Sequence, residues 1–178
     1  AEGTWTVTKN IYDSFGEEHQ LRIDFVKDPD FNNQWLANAT IDGETAAGSN
    51  ARISIAGAEA DGNEFRMQFD NVGTLQRAFS GDDINGGIDA GDLNVQITYD
   101  VQGSNVDTEA DGFETQTFNL NLGEVGSNTS SITQYGSSSS TKAFAQDGYA
   151  MGYLENFQID QSGNITGIYS NGTNRVLG

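Results

Sequence analysis

Short runs in which apolar residues occupy every second position recur along the whole chain. The first covers residues 4–12 and reads TWTVTKNIY, and Leu21, Ile23 and Phe25 take alternate positions in the second. A period of two with β-branched and aromatic residues is typical of half-buried β-strands. The same pattern predicts strands over residues 35–41, 52–55, 64–69, 93–101, 113–122, 153–159 and 164–169.

Turn signals separate these runs. The chain has 22 Gly and one Pro, with many Asn, Asp, Ser and Thr. Gly163, in the loop between two apolar runs, and the Asn171-Gly172 pair are typical of hairpin turns, so the last thirty residues predict a three-stranded meander. Residues 74–79 are the one candidate for a short helical turn. We therefore expect an all-β, antiparallel fold, a β-barrel or sandwich-like domain followed by a C-terminal β-meander.

Three segments have the composition of loops. Residues 43–50 are small and polar, residues 81–92 are rich in Asp and Gly, and residues 123–141 are rich in Ser and Thr. A Ser/Thr-rich segment with little to bury cannot form a core of its own. We expect the third segment to be a linker or a strap across the domain surface.

The charge of the chain narrows the choice of partners. Asp plus Glu number 26 against 8 Lys plus Arg, a formal net charge of -18. Such a surface repels phosphate backbones, so we expect neither nucleic acid nor a membrane as a partner. The absence of cysteine excludes disulfides and thiolate catalysis, and a single histidine disfavours histidine-rich metal sites. We expect no cofactor.

The acidic loop at residues 81–92 is the candidate metal site. Asp83, Asn85, Asp89 and Asp92 offer oxygen atoms, which calcium prefers as ligands. However, an EF-hand that begins at Asp83 has Ile88 at its sixth position, where Gly is needed. A solvated acidic turn is the simpler interpretation of the loop, and a weak calcium site is the alternative that remains open.

No catalytic residues are expected. Asp13, Ser14 and His19 lie within seven residues, but a catalytic triad is normally assembled from distant segments, and no G-x-S-x-G motif occurs. We expect Asp13 and Ser14 to bond the backbone of a turn between two strands. Trp5, Trp35 and Tyr99 have the spacing of core aromatics, although aromatic side chains also form sugar-stacking platforms.

Two segments resemble the flagellar hook protein family. Residues 146–172 read QDGYAMGYLENFQIDQSGNITGIYSNG, which is similar to the family's D-G-Y-A-x-G-x-L segment and the hairpin that follows it; Leu177-Gly178 matches the L-G that comes next. Near the other end, residues 7–21 resemble the family's V-Y-D-S-x-G-x-x-H-x-L segment. Phe25-Val26-Lys27 and Trp35 also fall where the family has an F-x-K…W pattern.

The resemblance implies a mechanical function and a domain division. It implies a structural subunit of the flagellar hook, the flexible joint between motor and filament, that contacts neighbouring copies of itself in a helical assembly outside the cytoplasm after type III export. Residues 1–146 would be an outer β-domain and residues 147–178 a segment returning to an inner β-domain, with the terminal core helices absent. We expect the isolated chain to be monomeric.

The alternative from another functional class is an extracellular carbohydrate-binding or adhesin-like β-sandwich. It would require an exposed aromatic platform or a bound calcium ion. An acid-based hydrolase is a third possibility, and it would require two carboxyl groups with raised pKa values in one cleft.

Overall fold

A computed structural model describes most of the chain. The described residues are 3–13, 15–45, 48–49, 51–55, 58–59, 63–80, 87, 89, 91–100, 115–127, 129, 131–134, 140 and 147–177. Within them every regular element is a β-strand. No helix in this part of the chain is long and apolar enough to cross a bilayer.

The part of the chain that the structure describes contains fourteen strands. They are β1 (Thr4–Tyr12), β2 (Glu18–Lys27), β3 (Gln34–Ile41), β4 (Glu44–Thr45), β5 (Gly48–Ser49), β6 (Ala51–Ile55), β7 (Ala58–Glu59), β8 (Glu64–Phe69), β9 (Leu75–Phe79), β10 (Asp92–Asp100), β11 (Thr115–Glu124), β12 (Leu154–Ile159), β13 (Ile165–Tyr169) and β14 (Asn174–Val176).

The chain divides into two compact units. The first contains Ala1–Lys9 and Gln20–Lys142, and the second contains Asn10–His19 and Ala143–Gly178. The division falls inside β1 and β2. The end of β1, the start of β2 and the turn between them therefore belong to the second unit.

The first unit contains two larger antiparallel sheets. One has the strand order β1-β2-β3-β8-β9 and the other the order β11-β10-β6-β7. Strands β3 and β8 of the first sheet contact β6 of the second, and β9 contacts β10. Of the two forms predicted from the sequence, the sandwich fits this arrangement, and the all-β prediction is confirmed.

The apolar side chains at alternate positions of the strands fill the space between the two sheets. Side chains with relative exposures of 0–2% come from both inner faces: Ala37, Ala39, Ile41, Phe65, Met67, Leu75 and Ala78 from the first sheet, and Ala51, Ile53, Ile55, Leu93, Val95, Ile97 and Tyr99 from the second. Each large apolar side chain buried in this way contributes about 1.5–3 kcal/mol. Tyr99 is thus a core aromatic, as its strand spacing predicted.

Two predictions about local structure were wrong. Residues 74–79 contain strand β9 and no helical turn, because this segment pairs with β8 and buries Leu75, Ala78 and Phe79. Residues 43–50 are not wholly a loop, since Glu44 pairs with Ser49 and Thr45 with Gly48 in a two-stranded hairpin.

The Ser/Thr-rich segment acts as a strap where it is described. Thr133 forms an isolated bridge with Thr74, the N–H of Ile132 donates to the carbonyl of Leu122 (3.0 Å), and the N–H of Gln134 donates to that of Gly73 (2.8 Å). These contacts hold Thr133 and Gln134 against the turn that joins β8 to β9, and Ile132 against β11.

The second unit contains the predicted meander, a sheet of β12, β13 and β14. Gly163 (φ 88°) and Gly172 (φ 78°) occupy the left-handed positions of its two turns, as their sequence context predicted. The N–H of Gly163 donates to the carbonyl of Asp160, and that of Gly172 donates to the carbonyl of Tyr169.

Candidate interaction surfaces

The turn between β1 and β2 is built around a buried carboxylate. Oδ1 of Asp13 accepts the N–H groups of Phe15 and Glu17, both at 2.8 Å, which confirms the predicted turn role of Asp13. Its Oδ2 lies 3.5 Å from Nε2 of His19, and both side chains are buried. Ser14 lies outside the described residues. The sequence missed the burial of His19, which takes an inward position of β2.

Residues 147–153 lie beside this turn. The N–H of Met151 donates to the carbonyl of Gly16 (3.2 Å), and Nδ2 of Asn171 donates to the carbonyl of Ala150 (2.7 Å). Tyr149, Met151 and Tyr153 occupy alternate positions of the segment and are exposed by 62%, 60% and 74%. An exposed row of three large side chains is a candidate contact surface.

The meander has one apolar face that nothing in the described structure covers. Phe157 lies opposite Gly167, Ile159 opposite Ile165, and Leu154 opposite Tyr169, and directly opposed residues share a face. A Cβ at Gly167 would lie 2.9 Å from Cδ1 of Leu154 and 3.0 Å from Cδ1 of Leu177. The missing side chain at this position therefore lets both leucines lie over the centre of the sheet.

The exposure of this face is large. Leu154, Phe157, Ile159 and Leu177 are 52%, 58%, 61% and 49% exposed, although their spacing is that of core residues. Most of the exposed large apolar side chains among the described residues belong to the second unit. A small sheet with one open apolar face is typical of an element that packs against further protein.

The first unit has an open cleft of about 390 Å³ beside Trp35. Its lining includes Asn33, Asn71 and Gln134, which carry carboxamide groups, and the charged residues Lys27 and Asp70. The indole Nε1–H of Trp35 donates to Oε1 of Gln134 (3.0 Å), and Nδ2 of Asn33 donates to Oδ1 of Asn71 (3.1 Å). Trp35 is half-buried, so it is neither a core residue nor an open platform.

The candidate calcium loop is only partly visible. Asp83, Asn85 and the side chain of Asp92 lie outside the described residues, and Asp89 is exposed. In the part of the chain that is described, no three His, Cys, Asp or Glu side chains are grouped to hold a metal ion. The calcium site therefore stays a prediction.

Two carboxyl groups have pKa values below the ordinary range. Partial burial by itself would raise the pKa of Asp24, but hydrogen bonds from Thr6 and Arg22 and the charge of Arg22 outweigh it and lower the pKa. The pKa of Asp160 is lowered chiefly by the side chain of Asn164, and then by backbone N–H groups of the same turn. Both carboxylates are structural, because their oxygen atoms bond to the protein's own groups.

Comparisons with known proteins agree with the resemblance seen in the motifs. The family model of the flagellar basal body protein FlaE D2 domain matches residues 1–149. The flagellar hook protein FlgE of Treponema pallidum (strain Nichols) is 44% identical over 179 residues, which cover 99% of this chain and 38% of that protein. FlgE of Borreliella burgdorferi (strain ATCC 35210 / DSM 4680 / CIP 102532 / B31) is 45% identical over 178 residues, 100% of this chain and 35% of that protein.

The chain thus spans less than two-fifths of the length of these curated relatives. Among solved structures, flagellar hook protein FlgE2 of Helicobacter pylori aligns with 98% of this chain and 31% of its own, at 16% identity and a TM-score of 0.47. The family model and the two relatives confirm the resemblance seen in the motifs: the chain belongs to the flagellar basal body protein FlaE D2 domain family of flagellar hook proteins.

Proposed function

We propose that this chain is part of a structural subunit of the flagellar hook, the flexible joint that links motor to filament. It acts through contacts with neighbouring copies in a helical assembly and has no catalytic role. The observation that carries the proposal is an identity of 44–45% to two hook proteins over essentially all of this chain. The assembled subunit lies outside the cytoplasm, which it leaves by type III export.

The domain division predicted from the motifs belongs to the same proposal. Residues 1–146 form an outer β-domain, and residues 147–178 return to an inner β-domain that the rest of a longer protein completes. The open apolar face of the meander supports this, because Phe157 and Ile159 are more than half exposed in the present chain. The relatives are long enough to contain such an inner domain, since more than three-fifths of their length lies outside the matched region.

A joint that bends while it rotates needs subunit contacts that exchange readily. Small polar contacts exchange partners and water at little free-energy cost, whereas a large apolar seam resists sliding. The net charge of -18 also keeps free copies apart in solution. The isolated chain is therefore monomeric and associates only when an assembly raises its effective concentration.

A gene-replacement experiment in the source organism tests the proposal. Deletion of the gene should abolish hooks and motility, and the full-length gene should restore both. The double variant Phe157→Ser, Ile159→Ser should fail to restore hooks, because it removes the apolar face on which the inner domain packs. Val72→Ser replaces an exposed side chain of the first unit (72% exposed) and should restore them fully.

The outcomes separate the two parts of the proposal. Normal hooks after deletion of the gene would contradict the hook function itself. Loss of hooks on deletion, with normal hooks from the double variant, would leave the hook function standing and contradict the role of the meander face.

The cleft beside Trp35 favours a second candidate, a carbohydrate-binding or adhesin-like module. Three carboxamide side chains and a half-buried indole line it, and amides bind sugar hydroxyl groups as both donors and acceptors. Titration with neutral oligosaccharides, followed by tryptophan fluorescence, tests this function. A saturable change in fluorescence that is lost in the Asn71→Ala variant would favour the carbohydrate-binding function over the hook function.

A further inference from the structure

The segment that precedes the meander is held between two turns of the second unit. On one side, the N–H of Met151 donates to the carbonyl of Gly16 in the turn between β1 and β2 (3.2 Å). On the other side, the N–H of Tyr153 donates to Oγ of Ser170, and the N–H of Ser170 donates to the carbonyl of Tyr153, both at 2.9 Å. The backbone of the segment is therefore fixed at several points.

Two glycines make this close fit possible. A Cβ at Gly16 would lie 2.5 Å from the backbone nitrogen of Met151, and a Cβ at Gly152 would lie 2.5 Å from Cγ of Asn171. The side chain of Asn171 is itself bonded to the segment, since its Nδ2 donates to the carbonyl of Ala150 (2.7 Å). The small residues of the segment thus allow it to lie against both turns.

The large residues of the segment stay at the surface. Tyr149, Met151 and Tyr153 are each at least 60% exposed; we call them the tyrosine-methionine row. Asp147 and Glu155, at the next alternate positions on either side, are exposed as well. An apolar centre with a charged rim is typical of protein interfaces, in which Tyr and Met are enriched. Because the backbone beneath the row is already ordered, a contact made here loses less conformational entropy.

The row differs in chemistry from the apolar face of the meander. Leu154, Phe157 and Ile159 have no polar side-chain atoms, so they suit a contact that is made once and kept. A tyrosine hydroxyl needs a hydrogen-bond partner when it is buried, and water can supply that partner in a contact that opens and closes. The methionine side chain is flexible and adapts to differently shaped surfaces. The row therefore suits a contact that is exchanged.

The size of the row indicates a contact within an assembly. A fully buried aromatic side chain removes about 150–250 Å² from water, so the exposed parts of the row offer at most about 500 Å². A stable interface between free proteins buries about 800 Å² on each partner. The row is too small to hold two free copies together, but it is large enough to act when an assembly raises the effective concentration. We propose that the tyrosine-methionine row is the surface through which the second unit contacts a second copy of the subunit, an inference that rests on the hook function proposed above.

Helical symmetry gives this contact its form. Neighbours in an open helix are related by an operation that does not close, so a surface on one copy meets a different surface on the next. The row therefore does not need to be complementary to itself. An isolated chain has no reason to pair through it, which agrees with the monomeric state proposed above.

Photo-cross-linking in assembled hooks tests the inference. The photoreactive amino acid p-benzoylphenylalanine replaces Tyr149 in the full-length protein, and the matched variant carries it in place of Phe157 on the meander face. The two side chains have similar exposures, 62% and 58%, and both substitutions keep an aromatic ring. After irradiation of purified hooks, denaturing electrophoresis separates covalent dimers from single chains, and mass spectrometry identifies the joined peptides. Dimers from position 149 and cross-links within one chain from position 157 are expected.

Removal of side chains gives a second measurement. Tyr149→Ser with Met151→Ser should lower the number of hooks per cell at least about tenfold, because each apolar side chain of this size changes an association constant by about that factor or more. Tyr149→Phe with Met151→Leu keeps the apolar volume and should leave that number unchanged, as should the control Val72→Ser. All these full-length variants should melt like the parent, since the replaced side chains are exposed.

Every outcome bears on the proposal. Cross-links from position 149 to a different protein or within one chain would overturn it, as would normal hook numbers with the Tyr149→Ser, Met151→Ser pair. A lower melting temperature of that pair would assign the row to the subunit's own fold and overturn it too. Hooks that contain the chain but show no cross-link at position 149 refute the contact surface alone. Hooks that lack the chain refute the proposed function.

Discussion

The indole Nε1–H of Trp35 donates a hydrogen bond to Oε1 of Gln134 over 3.0 Å, which joins the start of β3 to a residue 99 positions later. The backbone N–H of Gln134 is bonded in turn to the carbonyl of Gly73. One residue of the strap is therefore anchored by both its side chain and its backbone. This double anchor holds Gln134 in place on the sandwich.

The Trp35–Gln134 bond should make a measurable contribution to stability. Trp35→Phe removes the donor and replaces the indole with a smaller aromatic ring, and Gln134→Leu removes the acceptor at a similar side-chain volume. A double-mutant cycle on urea unfolding should give a coupling free energy of about 0.5–1.5 kcal/mol, the usual net value of a hydrogen bond. A coupling of zero would show that the bond does not fasten the strap.

The Gly73→Ala substitution should destabilise the chain much more than Gly91→Ala. Both glycines have positive φ, 87° and 74°, so each substitution costs about 1–2 kcal/mol of backbone strain. At Gly73 a Cβ would also lie 1.9 Å from the carbonyl oxygen of Gln134, whereas at Gly91 nothing lies within 4 Å. Because a backbone atom cannot simply rotate away, we expect at least about 1–3 kcal/mol more loss at Gly73, measured by urea unfolding.

Equal losses for the two glycine variants would contradict the close approach of the strap to the β8–β9 turn. A further check is proteolysis of the Gly73→Ala protein, in which the strap should be cleaved faster than in the parent or in Gly91→Ala.

The Asp160 carboxyl group should titrate below the ordinary aspartate value of 3.8, because hydrogen bonds from Asn164, Ser162 and Gly163 favour its ionised form. The pKa of Asp160 is lower in the folded state than in the unfolded state, so its ionised form stabilises the turn fully at pH values above the unfolded-state pKa. This stabilisation is lost as the pH falls through the folded-state pKa. Measurement of the 13Cγ shift of Asp160 against pH gives the pKa directly. Asn164→Ala should move it upward, and a parent value at or above 3.8 would contradict the described turn.

The apolar face of the meander should bind a hydrophobic dye in the isolated chain. Leu154, Phe157 and Ile159 are each more than half exposed, so anilinonaphthalene sulfonate fluorescence should rise in the presence of the native protein. Phe157→Ser with Ile159→Ser should remove most of that signal with little change in melting temperature, since exposed side chains bury little area. Val72→Ser is the control and should leave the fluorescence as in the parent.

Much of the sandwich followed from residue pattern alone. The strand over residues 64–69 was predicted with its observed bounds, because Phe65, Met67 and Phe69 alternate without interruption. The strand β9 was missed because its buried residues, Leu75, Ala78 and Phe79, are spaced as on a helix. An irregularity in the pairing with β8, between Gln68 and Phe69, places Leu75 and Ala78 on the same inner face. Phe79 lies opposite Arg66 and is buried on the other face of the sheet, where the guanidinium carbon of Arg77 lies 5.6 Å from its ring centroid.

The surfaces were harder to predict than the strands. Phe157 and Ile159 have the period of a core strand, and only the structure shows that this face is uncovered. The membership of a sheet face also depends on register: Ser54 and Asn119 lie on either side of their common partner Gln96. No local pattern in the sequence carries that information.

The central claim is that this chain belongs to the hook, and immunogold electron microscopy on intact flagella of the source organism tests it most directly. Antibody raised against the chain should label only the short curved segment between the cell body and the filament. Label elsewhere on the cell surface, or none on flagella whose hooks are exposed, would contradict the claim.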